Sequence, residues 1–180
     1  MSCGINPYSG GRGLPQSLLA DGKRVRINTG FRRWLHFWRV MSAPELTCFE
    51  QRSIALINTF GALPADAAGA MREALWFYRC GRETFCEASG ERLLDWDEDW
   101  LCIWADFRLY AGIDLDRGQL HWWRFMALFE SLPRESGIKR RIWLRSLDPA
   151  EIGDARLREK YRRMKEAVAL GPCGERPGRL

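Results

Sequence analysis

The sequence predicts a mainly α-helical fold: a compact single domain around a buried central helix, with a small N-terminal β-hairpin. Apolar residues recur at helical spacing along most of the chain. The segment Leu120–Leu132 is apolar nearly all round, which is typical of a helix buried on every side. The pair Asp21-Gly22 favours a two-residue hairpin turn, after which Val25 and Ile27 are expected to face inward.

A chain of 180 residues has the size of one domain and buries about two thirds of its unfolded surface. We expect a flexible tail over 1–15, the helical domain over 16–170 and a disordered tail over 171–180. Nine Trp, nine Phe and four Tyr predict an aromatic core. The chain has neither a run of about 18 apolar residues nor a secretory signal, so we expect no membrane segment and a cytoplasmic location.

Charge is divided unevenly along the chain, which has a net charge of +5. Residues 1–82 carry eleven Lys and Arg against five Asp and Glu, residues 83–116 carry two against ten, and residues 124–180 carry fourteen against eight. This basic, acidic, basic order can serve internal pairing or a complementary surface on a partner. It argues against a single continuous phosphate-binding face.

Three helices are predicted after the hairpin. The first follows an N-cap at Asn28-Thr29, and its apolar face consists of Phe31, Trp34, Leu35, Trp38 and Met41. A second helix is predicted over 46–60 and a third over 64–81, each with a glycine at its end. A polar connection is expected over 82–94.

An acidic turn at Asp95 starts the next predicted helix. Its apolar stripe consists of Trp96, Trp100, Ile103, Trp104, Phe107 and Ala111. The carboxylates of the first turn complement the positive end of a helix, so we interpret them as a cap and a solvated face. A divalent-cation loop would need regularly spaced oxygen ligands and a central glycine. Gly112 is placed to end this helix, and Pro133 ends the central helix that follows.

A basic helix is predicted over 138–147. Its polar side carries Lys139, Arg140, Arg141 and Arg145, and its expected core side carries Ile138, Ile142 and Trp143. The segment 148–151 has the form of a capping box with Pro at the first helical position. The last helix then carries Leu157, Tyr161, Met164 and Val168 at near-heptad spacing.

Residues suited to catalysis are few. The six cysteines lack metal-ligand spacing and are interpreted as free thiols, and His36 and His121 have no evident nucleophile or carboxylate partner. We therefore expect no enzyme, no metal site and no cofactor. The basic helices leave a small nucleic-acid-binding or regulatory protein as the alternative. Glu159 and Glu166 weigh against it, because they interleave with basic residues at helical pair spacings.

Several blocks of the chain keep a common order over residues 17–170. They include Asp21–Trp34, Leu75–Gly81, Asp106-Phe107, Gly112–Leu115, Leu120–Phe125 and Ile142–Arg145. Together these blocks resemble the bacteriophage gene product fifteen family of tailed phages and prophages. The chain departs from the family at Gly30, where the family tends to have an acid, and at Ala111, where it tends to have a Tyr.

The resemblance implies a binding function, because the family has no established enzymatic activity. Its genes are similar in placement to those of tail assembly chaperones, between the major tail protein and the tape-measure protein. The implied partners are the tape-measure protein, the major tail protein and a companion tail assembly chaperone, in the bacterial host cytoplasm. We expect an apolar groove for a tape-measure helix, steered by Arg140, Arg141 and Arg145 as partner-binding residues.

Overall fold

The computed structural model describes residues 13–82 and 92–171. Its strands are β1 (Ser17–Ala20) and β2 (Lys23–Arg26), and its helices are α1 (Phe31–Met41), α2 (Cys48–Phe60), α3 (Ala67–Tyr78), α4 (Trp100–Asp106), α5 (Trp122–Ser131), α6 (Gly137–Ser146) and α7 (Ala155–Ala167). A π-helix, Phe107–Ala111, continues α4, and a short 3-10 helix covers Pro149–Glu151. The predicted mainly α fold with an N-terminal hairpin is confirmed.

Two compact units divide the described residues. Unit 1 contains residues 13–82 and 119–127, and unit 2 contains residues 92–118 and 128–171. The single domain over 16–170 stays a prediction. The predicted tails and the polar connection over 82–94 lie mostly outside the described residues.

The hairpin of unit 1 forms at the predicted turn. Asp21 and Gly22 have φ values of 51° and 72°, and β1 pairs antiparallel with β2. Ile27 is buried as expected, whereas Val25 is only half-buried. The Asp21 carboxylate accepts hydrogen bonds from the backbone N–H groups of Ala65 (3.0 Å) and Asp66 (2.8 Å), just before α3. The turn therefore fixes the hairpin to the third helix.

Asp21→Ala is expected to lower the melting temperature more than Asp21→Gly. Both variants lose the hydrogen bonds to α3, but only alanine is strained by the positive φ. The amides of Asp66 and Ala65 lower the pKa of the Asp21 carboxyl. The stability that the Asp21 carboxylate adds to the fold is therefore fully present above about pH 4, where an Asp in the unfolded chain is ionised. It is lost as pH falls through the lower pKa of the folded state. Thermal unfolding at pH 7 and pH 2 measures both effects, and equal melting temperatures for the two variants would contradict the backbone explanation.

The buried face of α1 differs from the predicted face. The buried residues are Phe31, Trp34, Phe37 and Val40. The predicted residues Leu35, Trp38 and Met41 are only half-buried. Because α1 is apolar on two overlapping stripes, spacing alone did not decide which stripe packs inward. The N-cap residue is Gly30, whose N–H donates to the Asn28 side chain (3.0 Å).

The first half of α5 supplies the aromatic centre of unit 1. The Trp122 indole N–H donates to the Tyr78 carbonyl (2.7 Å), and the Trp123 indole N–H donates to the Phe77 carbonyl (2.8 Å). Phe125 stacks on the Phe31 ring with centroids 4.9 Å apart. Burying both indoles is favourable because each finds an acceptor at the end of α3. The predicted burial of the central helix is confirmed for these aromatic residues, but Arg124 and Ala127 are exposed, so the helix is not buried on every side.

In unit 2, the acidic turn precedes the helix that it was expected to start. Residues 96–99 form turns, and α4 begins only at Trp100. Asp95, Asp99 and Asp106 are buried, so the interpretation of the first-turn carboxylates as a solvated face is wrong for Asp95 and Asp99. The Asp106 carboxylate instead accepts from the N–H groups of Gly137 (3.1 Å) and Ile138 (2.8 Å) at the start of α6.

The last helices of unit 2 also pack differently from the prediction. On α6, Ile138 and Leu144 are buried, Ile142 is half-buried and Trp143 is exposed. The last helix begins after the N-cap Asp154, because residues 149–151 form only a 3-10 turn. No residue of α7 is fully buried.

Candidate partner-binding surface

Both histidines of the chain contact neighbouring residues of the fold. The two ring nitrogens of His121 contact the backbone: Nε2 lies 2.9 Å from the Pro15 carbonyl, and Nδ1 accepts from the Trp123 N–H (3.1 Å). Burial lowers the pKa of His121, so the ring is neutral near pH 7. His36 is exposed, and its Nε2 lies 3.4 Å from the Asn58 amide nitrogen. Both rings have structural neighbours, and the absence of catalysis stays a prediction.

The described residues contain no group of three His, Cys, Asp or Glu side chains placed to hold a metal ion. Cys48, Cys80 and Cys102 are free thiols, as expected, and the other three cysteines lie outside the described residues. Within the same residues, no helix has the length and apolar character needed to cross a membrane.

A buried ion-pair cluster in unit 2 contains two of the three predicted partner-binding residues. The Arg145 guanidinium bonds both oxygens of Asp99, at 2.6 Å and 2.9 Å, and Arg141 Nη1 lies 3.1 Å from Asp99 Oδ1. Arg145 also donates to the carbonyls of Leu93 (2.9 Å) and Val168 (2.6 Å). These four bonds fix Arg145 in the interior of unit 2.

The sequence placed Arg145 on the polar side of the basic helix, whereas the structure buries it. Its residue surface is only 6% exposed. Arg141 is partly exposed but bound to Asp99. Of the three arginines of α6, Arg140 is the exposed one. The assignment of Arg140, Arg141 and Arg145 as partner-binding residues stays a prediction.

The basic helix α7 carries much of its charge in surface ion pairs. Arg162 bonds Glu159 (2.9 Å) and Glu166 (2.7 Å), and Arg163 bonds Glu159 (2.7 Å). These contacts lower the pKa of Glu159 to about 2, through the hydrogen bonds of Arg162 and Arg163. Carboxylates so placed would oppose a nucleic-acid phosphate, which weakens the nucleic-acid alternative.

In unit 1, α2 presents an apolar face that the described residues leave uncovered. Phe49 is 76% exposed, Ile57 is 44% exposed, and Ile54 is exposed as well, while Ala55 and Leu56 form the buried side of the same helix. Only Glu50 and Arg52 carry charge among its 13 residues. The weak helical pattern of 46–60 was the available signal, because a helix that is apolar on both sides shows little amphipathic contrast.

The neighbouring face of α1 is basic. Arg32, Arg33 and His36 are exposed there, and His36 contacts Asn58, one turn beyond Ile54. The Gln51 amide also donates to the Ala43 carbonyl (2.7 Å), which holds the start of α2 against the end of α1. We call Arg32, Arg33 and His36 of α1, together with Phe49, Ile54 and Ile57 of α2, the α1–α2 face.

A cavity of about 370 Å³ opens on the α1 side of this face. Its lining residues are Asn28, Gly30, Phe31, Arg32, Arg33, His36, Gln119 and Leu120. Partial burial, followed by the charges of Arg33 and Arg39, lowers the pKa of His36, so the positive charge of the cavity lining at neutral pH comes from Arg32 and Arg33. Its volume suits one large side chain of a partner.

Comparison with models of known protein families gives a match. The family model described as Bacteriophage Gp15 protein matches residues 13–170, which is most of the chain. Neither the curated proteins nor the solved structures contain a match. The match over residues 13–170 covers the hairpin, the α1–α2 face and the buried Asp99–Arg145 pair, and this chain belongs to the Bacteriophage Gp15 protein family.

Proposed function

We propose that this phage protein is a non-catalytic tail assembly chaperone that binds an amphipathic helix of the tape-measure protein and recruits tail-tube subunits. Membership of the Gp15 family supports a phage role. The observation that carries the binding function is the α1–α2 face, where α2 exposes three apolar side chains and the neighbouring helix α1 exposes two arginines. Helix-in-groove recognition uses this combination of an apolar strip and flanking charge.

The apolar part of the face supplies the affinity. Covering a fully exposed Phe or Ile side chain contributes about 1.5–3 kcal/mol, and Ile54 and Ile57 are already more than half covered, so the three residues together contribute at most several kcal/mol. Association costs at least about 4 kcal/mol of lost freedom, so these three contacts alone support weak, reversible binding. Reversibility suits a chaperone that must leave the client when the tail tube assembles.

The basic part of the face sets the orientation and the rate of encounter. Arg32 and Arg33 attract an acidic flank of the client helix, and the adjacent cavity receives one of its side chains. Association should therefore slow as salt rises, since exposed charges are screened beyond about 10 Å at 0.1 M salt. The apolar contacts would still hold the complex once it has formed.

Co-expression with the tape-measure protein of the same genome tests the proposal. We expect the client to be more soluble with this chain than without it, and to co-purify with it. Ile57→Glu should reduce the co-purified client by about tenfold or more, because it places a charge in the apolar strip. Arg33→Glu should slow association and weaken its salt dependence, with little change in melting temperature.

Arg140→Glu is the matched control, because it reverses an exposed arginine of α6 in unit 2. If Arg140→Glu weakens the complex and Arg33→Glu does not, the basic helix predicted from the sequence is the binding surface instead. If the client is equally soluble alone and does not co-purify, the chaperone proposal fails, and DNA binding by the basic helices becomes the function to measure.

A further inference from the structure

Unit 2 carries a second exposed apolar strip, along α4 and its π-helical continuation. Leu101 is 78% exposed and Leu109 is 73% exposed, and Ala105 lies exposed between them. The spacing of four residues places the three side chains on one side of the helix, whereas Ile103 and Phe107 on the other side are fully buried. We call Leu101, Ala105 and Leu109 the α4 strip.

We infer that the α4 strip is a contact between two copies of this chain, with the two α4 segments antiparallel about a two-fold axis at Ala105. In such a pair, Leu101 of each copy faces Leu109 of the other, so the strip is complementary to itself. The small side chain of Ala105 at the axis lets the two helices approach closely. A partner of unrelated sequence would have no reason to match this symmetric order.

The charges at the two ends of the strip also favour the antiparallel pairing. Glu98 lies one turn before Leu101, and Arg108 lies beside Leu109. An antiparallel pair brings Glu98 of one copy toward Arg108 of the other, whereas a parallel pair would bring like charges together. Each has a partner within its own chain, Arg92 at 3.0 Å and Asp114 at 3.2 Å, and the dimer would exchange these contacts for contacts between the two copies.

The charge of the strip distinguishes it from the α1–α2 face. Asp97 and Glu98 precede the strip, so an acidic client flank would be repelled there, whereas Arg32 and Arg33 would attract it to unit 1. The inference therefore does not rest on the proposed function. Two different surfaces serve two different partners, a second copy and a client.

The interface between two α4 strips is small, so the affinity of the dimer is limited. The helical residues 100–111 span about 18 Å, so the buried area falls at the low end of specific interfaces, below about 1,200 Å² in total. We expect a weak dimer that forms as concentration rises, with a monomer mass of 20.9 kDa.

Sedimentation velocity of the full chain over a wide concentration range tests the inference. The average mass of the wild type should rise toward that of two copies. Leu101→Glu should weaken the dimer by about tenfold or more while leaving the circular dichroism spectrum unchanged, because the side chain is exposed. Phe49→Glu, a matched change on α2, should dimerise like the wild type while losing the client.

Charge reversal checks the orientation of the pair. Glu98→Arg and Arg108→Glu should each weaken the dimer, and the double variant should restore it, because each reversed charge again faces its opposite. A wild type that stays monomeric at every concentration would overturn the inference. So would a dimer that survives Leu101→Glu but is lost in Phe49→Glu.

Discussion

Asp99→Asn is expected to lower the free energy of unfolding by about 3–5 kcal/mol, because it leaves the buried Arg145 guanidinium without its counter-charge. Asp99 has no exposed surface, and its carboxylate receives Arg145 at both oxygens, Arg141 at one and the Asp95 N–H at 3.2 Å. An amide keeps the size of the side chain but removes the charge. Chemical denaturation at pH 7 measures the loss.

Two further variants separate the buried pair from ordinary surface charge. Glu159→Gln removes a carboxylate that pairs with two arginines in solvent, and it should change stability little. The double variant Asp99→Asn with Arg145→Met should be more stable than the sum of the single losses predicts, because the second change removes the unpaired charge. Strictly additive losses would show that the two side chains do not stabilise each other.

The same pair predicts how acid affects stability. Burial alone would raise the pKa of Asp99, but the hydrogen bonds from Arg145, the Asp95 amide and Arg141 outweigh burial and lower it. A lowered folded pKa means that the stabilisation is complete above about pH 4 and is lost as pH falls through the folded value. When the pH is lowered below 4, the free energy of unfolding of Asp99→Asn should therefore fall less than that of the wild type.

Local signals in the sequence predicted much of the fold. The hairpin turn at Asp21-Gly22, the left-handed ends at Gly61 and Gly112 and the stop before Pro133 all depend on neighbouring residues. The burial of the aromatic residues of α5 was predicted for a related reason, since a segment so rich in large apolar side chains must be largely covered. Such features need no knowledge of distant parts of the chain.

The errors have a common cause, which is distance along the chain. Asp99 and Arg145 are 46 residues apart, and each looked like an ordinary surface charge within its own segment. The only signal of their pairing was the acidic middle of the chain between two basic parts, and that pattern fits a partner surface equally well. The α1–α2 face was missed similarly, because its exposure depends on which side of α2 meets α1.

Trp123→Ala is expected to destabilise the protein by about 3–5 kcal/mol through the cavity that it leaves in unit 1. The Trp123 ring packs against Trp76, with centroids 5.4 Å apart, and against Phe77 at 5.7 Å. A Cβ atom added at Gly81 would lie 3.2 Å from the same ring, so the chain closes tightly over it. The loss of the indole also removes one of the two donors to the Phe77 carbonyl, which keeps the Cys80 N–H at 3.0 Å.

Trp123→Phe separates the lost hydrogen bond from the lost ring volume, and Trp143→Ala is the control for truncating a surface tryptophan. The phenylalanine variant keeps most of the ring volume but removes the indole N–H, so it should cost only about 1–3 kcal/mol. Trp143 is 49% exposed and contacts Tyr161 at the surface of unit 2, so its truncation should cost about 1 kcal/mol or less. In thermal and chemical unfolding, Trp123→Ala should have the lowest stability of the three variants.

Client binding completes the test, because Trp123 is buried against the end of α3 and is not part of the α1–α2 face. At a temperature where Trp123→Ala remains folded, it should capture the tape-measure protein as well as the wild type does, whereas Ile57→Glu should not. A Trp123→Ala variant that keeps its melting temperature and loses the client would reverse the assignment. Trp123 would then belong to the interface, and the stability of unit 1 would rest on other aromatic contacts.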